Sequence, residues 1–418
     1  MNIGILELMS HRGAGLKERA IRYLHTRQCA SIMPQAVSVW CRQMGHRVHY
    51  ATYYGNGDPK SKLPEDLDIV FISAYTFLAP LAYALAKLFR GQGVHTVIGG
   101  PHARSYPQHC LRHFDHVVLE CNKGLIADIL GGEFRPGTVL RSSEPFDDMP
   151  SIEERLPEIR TSAFAWGRSH AASFIPMLGS AGCPYACDFC VDWNSRYRTL
   201  SLDRLGEDLR FASRHLPSAK LAFHDPNFGI RFEDTIAQFE AIPAGRRNAY
   251  GFETSLSNLK RDRLARLRAT NCVAVIPGIE SWSGYGNKAG TGDATLREKL
   301  DKVVDHCSAL AQHVPYLQAN FVLGIDADSG DEPFELTREF VRRLPAMRPI
   351  FNIPVAYGAT PLHDALQREG RLLAAMPFTF HTSAYLTLVL KNYDPVTYMR
   401  KMVGLFRMLT KLLGPVQL

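Results

Sequence analysis

The stretch Gly182-Cys183-Pro184-Tyr185-Ala186-Cys187-Asp188-Phe189-Cys190 decides how the rest of this sequence is interpreted. It places three cysteines in the pattern C-x3-C-x2-C just after an apolar strand candidate, and thiols so close together point to metal binding. A zinc site would need a fourth thiolate or imidazole at a similarly short spacing, which His215 and His224 do not supply. Three ligands suit a [4Fe–4S] cluster whose fourth iron stays open to another ligand.

Working outward from this loop, short apolar strand candidates recur with charged, helix-patterned segments between them. Six such βα repeats predict a partial, TIM-like (βα)6 barrel, in which the chemistry lies at the carboxyl ends of the strands. The strand candidates are 173–178, 220–224, 250–253, 273–276, 317–323 and 351–355, and the helix candidates include 202–214, 260–269 and 335–343.

The first third of the chain also alternates strand and helix patterns, which predicts a doubly wound, Rossmann-like α/β domain. Its strand candidates are 2–8, 47–52, 69–74, 96–98 and 117–120, with an amphipathic helix at 79–90. We therefore divide the chain into a Rossmann-like domain at 1–140, a Pro- and acid-rich linker at 141–170, the barrel at 171–375 and a helical C-terminal region at 376–418. The basic amphipathic segment 398–413, with Met402, Leu405, Phe406, Leu409 and Leu412 on one face, is predicted to pack as a helix.

Composition excludes several classes of protein. The chain has 418 residues, of which 46% are apolar and 21% charged, so it is not a disordered or low-complexity protein. The net charge of +7 is spread without a run of like charges, and we expect no nucleic-acid partner. The chain shows no secretory signal, and Pro80 interrupts the uncharged run 69–86, so we expect a cytoplasmic protein without a membrane segment.

The cysteine loop after the first strand of a six-unit barrel, with Phe189 before the last cysteine, is similar to that of the radical S-adenosylmethionine (SAM) superfamily. This resemblance implies that Cys183, Cys187 and Cys190 bind a [4Fe–4S] cluster and that the open iron chelates SAM. It also implies that an electron from the cluster cleaves SAM, usually to a 5′-deoxyadenosyl radical.

Other strand ends resemble the same superfamily. Asp225 follows the second strand, and Gly278-Ile279-Glu280-Ser281 matches the G-x-E-S of the fourth strand. The turn 357–362 resembles the one after the sixth strand. The resemblance implies catalytic roles for Asp225 and Glu280. It implies cofactor contacts for Phe189, Asp225, Glu253, Ser255, Glu280, Gly324 and Ile325.

The N-terminal domain resembles the cobalamin-binding domain found ahead of many radical SAM barrels. That resemblance implies cobalamin contacts for Tyr75, Gly99, Gly100, Pro101, His102 and Glu120. The D-x-H-x-x-G loop that supplies a histidine to cobalt is missing. Where relatives usually have G-E-G-E, this chain has Glu120-Cys121-Asn122-Lys123-Gly124. Cys121 is therefore either an ordinary buried thiol or a further catalytic candidate.

Three functions follow from these features. The first is a radical SAM enzyme that transfers a SAM-derived group, most often methyl by way of cobalamin, to a small metabolite. The second is cobalamin-independent transfer of the 3-amino-3-carboxypropyl group of SAM to sulfur, phosphorus or arsenic, as in arsinothricin-type biosynthesis. The third is an iron–sulfur sensor or scaffold. The expected partners are a small-molecule substrate and a flavodoxin- or ferredoxin-type electron donor.

Replacing Cys183, Cys187 or Cys190 singly with Ala should abolish both the charge-transfer absorption of the cluster and SAM cleavage, because a site with three thiolates has no spare ligand. Iron content and absorbance of anaerobically purified protein measure the first effect. Cys29, Cys41, Cys272 and Cys307 lie in apolar, patterned segments and serve as controls that should keep the cluster. Unchanged iron in all three loop variants would refute the cluster assignment.

Overall fold

The computed structural model describes residues 1–9, 27, 30–171 and 173–413; Cys29 lies outside them. The strands in the first part of the chain are β1 (Asn2–Leu8), β2 (Arg47–Tyr53), β3 (Ile69–Ser73), β4 (His95–Gly99), β5 (His116–Glu120) and β6 (Thr138–Arg141). They form a parallel sheet in the order β2-β1-β3-β4-β5-β6. The order reverses between β1 and β3, and the carboxyl ends of these two strands are where doubly wound proteins bind ligands.

Helices cover both faces of this sheet. They are α1 (Ile32–Gln43), α2 (Ala79–Arg90), α3 (Pro101–Ser105), α4 (Pro107–Cys110), α5 (Lys123–Gly131) and α6 (Ile152–Ser162). Because side chains alternate along a strand, Ile3 and Ile5 pack in one apolar core with Trp40 of α1. Leu6 packs in the other core with Phe89 of α2. The predicted doubly wound α/β domain is confirmed.

The rest of the chain forms a second sheet. Its strands are β7 (Phe174–Met177), β10 (Lys220–Phe223), β11 (Tyr250–Ser255), β12 (Cys272–Glu280), β13 (Tyr316–Val322) and β14 (Arg348–Asn352). A separate two-stranded sheet consists of the short strands β8 (Ser180–Ala181) and β9 (Arg198–Thr199). The six strands lie in the order β14-β13-β12-β11-β10-β7, and β11 to β14 pair in parallel. This sequential parallel order confirms the partial barrel.

Helices alternate with these strands, as the βα pattern predicts. They are α7 (Leu202–His215), α8 (Phe232–Glu240), α9 (Arg261–Ala269), α10 (Gly286–Ala289), α11 (Leu296–Ala311), α12 (Glu332–Arg343), α13 (Pro361–Arg368) and α14 (Pro395–Leu413). Single 3-10 turns lie at Pro59–Lys62, Thr76–Leu78, Ala165–Gly167, Ala244–Arg246, Leu256–Asn258 and Phe378–Phe380.

The segment 141–170, predicted as a linker, contains helix α6. The Ser151 side chain accepts a hydrogen bond from the Glu154 backbone N–H, and the Glu154 carboxylate accepts one from the Ser151 N–H. This capping box starts the helix despite the proline at position 150. The segment whose composition indicated a linker therefore contains a capped helix, in which Arg155 and Glu158 are buried.

By compactness, the described chain divides into two units. The first consists of the described residues of Met1–Ala181 with Leu200–Ala222 and Pro377–Thr379, and the second holds the remaining described residues. These limits differ from the predicted boundaries at 140, 170 and 375. One reason is that α6 bonds within the first unit, where the Ile152 N–H donates to Asp208 of α7 over 2.8 Å.

The sixth barrel strand lies earlier than predicted, ending at Asn352 and not at residue 355. The backbone N–H of Ile353 donates to the Ser383 carbonyl oxygen at 3.0 Å, so it does not continue the ladder with β13. Pro354 has no N–H to offer. The predicted bounds of this strand were wrong for this reason.

The uncharged run 69–86 folds as β3, a 3-10 turn and the first part of α2. In the part of the chain that the structure describes, no helix has the length and apolar character needed to cross a membrane.

Helix α14 packs through one face, as predicted. Tyr398, Met402, Leu405 and Leu409 are each at most 2% exposed. Phe406, predicted on the same face, is 45% exposed, because its position is rotated away from these four side chains.

Leu405→Ala should lower the free energy of unfolding by about 2–5 kcal/mol, because it leaves a cavity in a fully buried contact. Val403→Ala on the same helix is the matched control, since Val403 is 40% exposed, and it should change stability by about 0.5 kcal/mol or less. Urea unfolding followed by circular dichroism measures both. Equal losses would show that α14 does not pack through the face described above.

Candidate functional site

The cysteine loop begins with a backbone turn that only glycine fits well. Gly182 has φ of +71°, and a Cβ built on it would collide with the carbonyl oxygen of Arg196. The next residue, Cys183, donates its backbone N–H to the Ser195 carbonyl oxygen at 3.1 Å. The loop 183–195 is therefore closed at its base by its own backbone.

Side chains and backbone groups from several strand ends hold this loop. Beyond β11, the Ser257 hydroxyl lies 2.7 Å from the hydroxyl of Tyr185, and beyond β12, Tyr285 donates to the Asp188 carboxylate at 2.7 Å. Beyond β14, the Leu362 N–H donates to the Asp188 carbonyl oxygen at 3.0 Å. The carboxyl ends of parallel strands meet at one edge of a sheet, so these contacts place the cysteines where barrel enzymes carry out chemistry.

The turn after β14 resembles the predicted one and contacts the same loop. The Trp193 indole N–H donates to the Ala359 carbonyl oxygen at 3.0 Å, and Ala359 has φ of +60°. The Thr360 hydroxyl then caps α13 by accepting from the His363 N–H at 3.2 Å.

The three thiols of the loop form no disulfide. Two of them accept hydrogen bonds from N–H groups: the Asn227 amide nitrogen lies 3.5 Å from the Cys183 sulfur, and the Asp192 backbone N–H donates to the Cys190 sulfur at 3.4 Å. Such donors favour a thiolate. Burial raises the pKa of the Cys187 thiol to about 11, against the opposing effect of Lys288, and also raises that of Cys190.

Three thiols in one loop are a donor set of the kind that holds a [4Fe–4S] cluster. Among the described residues, no three His, Cys, Asp or Glu side chains are arranged to hold one metal ion. A [4Fe–4S] cluster bound by three cysteines places each thiolate on a different iron, so its sulfurs are farther apart than those around one ion. The assignment of Cys183, Cys187 and Cys190 to a cluster stays a prediction.

A group of charges lies beside the cysteines. Lys288 donates to the Glu280 carboxylate over 2.5 Å, and both side chains are largely buried. Burial alone would lower the pKa of Lys288, but Glu280 and Cys187 outweigh it and the pKa is raised. Glu253 keeps accessible surface, yet the surrounding protein desolvates it and raises its pKa, with Lys288 opposing and Glu280 reinforcing the change. Accessible surface combined with desolvation is typical of a side chain that lines a concavity.

Glu280 is held in an unusual conformation. It ends β12 with φ of +65°, a left-handed value that a residue with a Cβ rarely adopts. The buried Lys299 secures the chain after it by donating to the carbonyl oxygens of Ser281, at 2.5 Å, and Gly284. These two hydrogen bonds therefore hold the turn that follows Glu280 and positions its side chain.

Gly324 and Ile325, the predicted contacts that follow β13, are linked to the same turn by a buried carboxylate. Asp328, which is fully buried, accepts from the Ser281 hydroxyl at 2.8 Å and from the Gly324 N–H at 2.8 Å. Ile325 is partly exposed next to Gly324. Two strand ends therefore share one buried carboxylate.

The remaining predicted residues of the barrel lie at their strand ends. Asp225 is 3% exposed after β10. Ser255 is fully buried, and its hydroxyl donates to the amide oxygen of Asn227 at 3.1 Å. The ring of Phe189 packs edge-on against Tyr285, with centroids 5.2 Å apart.

In the first unit, the predicted cobalamin contacts differ in accessibility. Tyr75, just beyond β3, is 37% exposed and stacks on Phe77 with ring centroids 6.0 Å apart. Gly100 has φ of +90°, and the space beside its Cα is filled by the Ser73 hydroxyl at 2.9 Å from a built Cβ. His102 is fully buried, with its Nε2 atom 2.6 Å from the hydroxyl of Tyr83. The exposed Tyr75, beside the half-buried Phe77, offers more surface to a flat ligand than the buried His102 does.

Three further predicted cobalamin contacts lie at or just after the ends of strands β4 and β5. Gly99 ends β4, and Pro101 begins α3 and is exposed. Glu120, at the end of β5, lies 3.7 Å from Arg104 and 3.5 Å from Arg141.

Cys121 follows Glu120 and is buried in an apolar core with Val118 and Ile126. Burial raises the pKa of its thiol to about 12, so the thiol is protonated at neutral pH. These surroundings are those of an ordinary buried cysteine and do not favour the nucleophilic role.

Sequence reasoning missed two residues of this site. Asn227 belongs to the strand-end motif His224-Asp225-Pro226-Asn227-Phe228, but only Asp225 in that motif was predicted as a site residue. Lys288 lies in the short helix α10, eight positions after Glu280, and a lone lysine there gave no separate signal.

Comparison with known proteins finds methyltransferases among those that are similar to this chain in sequence. No family model matches the chain. The bacteriochlorophyllide d C-8(2)-methyltransferase of Chlorobaculum tepidum is 25% identical over 357 residues, which is 81% of this chain and 76% of that protein. The C-12(1)-methyltransferase of the same organism is 23% identical over 74% of this chain and 68% of its own length. The hopanoid C-2 methylase of Rhodopseudomonas palustris is 23% identical over 73% and 58%, respectively.

Two solved structures share the fold. The radical SAM methyltransferase TsrM from Kitasatospora setae, with cobalamin and a [4Fe–4S] cluster bound, has a TM-score of 0.65 and 14% identity over 99% of this chain and 90% of its own. The cobalamin-dependent SAM radical enzyme OxsB, with aqua-cobalamin and SAM bound, has a TM-score of 0.58 and 14% identity over 97% and 61%. The cofactors expected from the sequence are those that these two proteins bind. The predicted resemblance is confirmed: the chain has the fold of cobalamin-dependent radical SAM enzymes and is similar in sequence to curated methyltransferases over most of its length.

Proposed function

We propose that this protein is a cobalamin-dependent radical SAM methyltransferase that methylates a carbon atom of a small-molecule substrate. The observation that carries the proposal is the loop of three thiols held against the ends of β11, β12 and β14 beside the Glu280–Lys288 pair. When bound, the cluster supplies the electron that cleaves SAM, and cobalamin carries the methyl group.

The chain's own residues supply the positioning. Cys183, Cys187 and Cys190 are the cluster ligands, and their loop is fixed by Tyr285 and Leu362 through Asp188. Fixing the ligands before the cofactors bind reduces the entropy lost at the reacting centre.

The charged group beside the loop suits the amino acid end of SAM. Its ammonium group matches the carboxylates of Glu280 and Glu253, and its carboxylate matches Lys288. Because Lys288 already neutralises Glu280, a zwitterion can replace part of this ion pair without leaving an unpaired buried charge.

In the first unit, the stacked Tyr75 and Phe77 at the carboxyl end of β3 support a cobalamin site. They lie beyond one of the two strands between which the sheet order reverses. The chain offers no histidine of the D-x-H-x-x-G type for cobalt, so we propose that cobalamin binds without that ligand.

Two observations favour methyl transfer to carbon over aminocarboxypropyl transfer to a heteroatom. The names of the three curated relatives specify carbon positions, C-8(2), C-12(1) and C-2. The burial of Cys121 in an apolar core also suits an ordinary thiol better than a nucleophile in aminocarboxypropyl transfer. A cytoplasmic location and a flavodoxin- or ferredoxin-type electron donor belong to the same proposal.

The products of SAM distinguish these functions. The reduced enzyme, reconstituted with cluster and cobalamin, should yield 5′-deoxyadenosine and S-adenosylhomocysteine, measured by liquid chromatography and mass spectrometry. Iron near four and cobalt near one per chain should accompany them. The Cys187→Ala protein is the background control. Methylthioadenosine as the dominant product above that background would overturn the proposal in favour of aminocarboxypropyl transfer.

Glu280→Gln should leave the iron content unchanged but weaken SAM binding about 10- to 150-fold, the effect of losing a hydrogen bond to a charged group worth roughly 1.5–3 kcal/mol. Equilibrium binding of SAM to the anaerobic protein measures this change. Asp364→Asn is the matched control, because the Asp364 side chain is 69% exposed on α13. Wild-type affinity in Glu280→Gln would mean that this carboxylate does not contact SAM.

A further inference from the structure

Asn227 is a buried amide whose two ends contact different parts of the site. It lies beyond β10 and is 1% exposed. Its Oδ1 atom accepts from the Ser255 backbone N–H at 2.9 Å and from the Asn258 amide at 2.8 Å. The Thr254 and Ser255 hydroxyls lie 3.0 and 3.1 Å from the same oxygen.

These contacts fix which end of the amide faces the cysteine loop. A backbone N–H can only donate, so the atom facing Ser255 must be the oxygen. The Nδ2 atom then points to the Cys183 sulfur, 3.5 Å away. The orientation of this N–H toward sulfur is therefore dictated by the end of β11.

A donor at this sulfur acts on the charge of the cluster. Reduction adds an electron that is shared between the irons and their sulfur ligands. Hydrogen bonds to the sulfurs stabilise the more negative, reduced form and are among the factors that set the potential of such clusters. The donor to Cys190 is a backbone N–H, which no substitution other than proline removes. The donor to Cys183 is a side chain and can be removed.

We propose that Asn227 is a positioning residue that raises the reduction potential of the cluster through its N–H···S hydrogen bond to Cys183. The proposal rests on the proposed function, because it requires Cys183 to be a cluster ligand. Asn227 then has two roles: it connects the segment after β10 to the end of β11, and it tunes the cluster.

Asn227→Asp distinguishes the structural contact with the end of β11 from the hydrogen bond to Cys183. A carboxylate keeps an oxygen for the donors of Ser255 and Asn258 and has almost the same shape, but it turns an acceptor in place of the donor toward the sulfur. Asn227→Ala removes both contacts. Asn258→Ala is the matched control, since it removes one donor to the same oxygen and Asn258 contacts Asn227 on the side away from Cys183.

The full-length protein with reconstituted cluster, without SAM, is titrated with dithionite while the reduced cluster is followed by electron paramagnetic resonance. We expect both Asn227 variants to have a more negative midpoint potential than wild type at equal iron content, and Asn258→Ala to match wild type. Wild-type potentials in both Asn227 variants would overturn the proposal. Loss of the cluster from both would also overturn it, in favour of a purely structural role. A wild-type protein that binds no [4Fe–4S] cluster would instead refute the proposed function.

Discussion

The hydrogen bonds that hold the cysteine loop against the ends of the barrel strands are the constraint on which the rest of this site depends. A loop of thirteen residues between positions 183 and 195 has far too much freedom to keep three thiols in place by itself. Contacts from Asn227, Ser257, Tyr285 and Leu362 remove that freedom. The parallel sheet makes them available, because it brings residues distant in sequence to one edge.

The same strand ends carry the charges of the site, and they are coupled. Burial raises the pKa of Glu253, with Lys288 opposing and Glu280 reinforcing the change, and Glu280 and Cys187 raise the pKa of Lys288. The buried Asp328 and Lys299 hold the backbone beneath Glu280 and keep its left-handed conformation. Strain at this position is therefore offset by contacts that lie below the reacting surface.

Much of the fold could be predicted because apolar runs and their spacing report directly on parallel strands. The cysteine loop and Glu280 were visible for a similar reason, since they belong to short local motifs. What could not be predicted depends on contacts between distant segments. Asn227 matters through a bond to Cys183, 44 positions away, and Lys288 through the turn that brings it back to Glu280. Helix α6 was not predicted, because the prolines around its capping box are typical of a linker. Strand β14 was misplaced because its end is set by a hydrogen bond from Ile353 to the distant Ser383.

Five cysteines of the described chain that lie outside the loop are enclosed by the protein. Cys41, Cys110, Cys121, Cys272 and Cys307 are buried, and burial raises the pKa of each thiol. Neutral, enclosed thiols react slowly with oxygen-derived oxidants and alkylating agents. Cys183 and Cys190 keep accessible surface. Damage in air should therefore be concentrated on Cys183 and Cys190, in the loop that we propose binds the cluster, and leave the five enclosed thiols untouched, so that a protein inactivated by oxygen should keep its fold and accept iron and sulfide again.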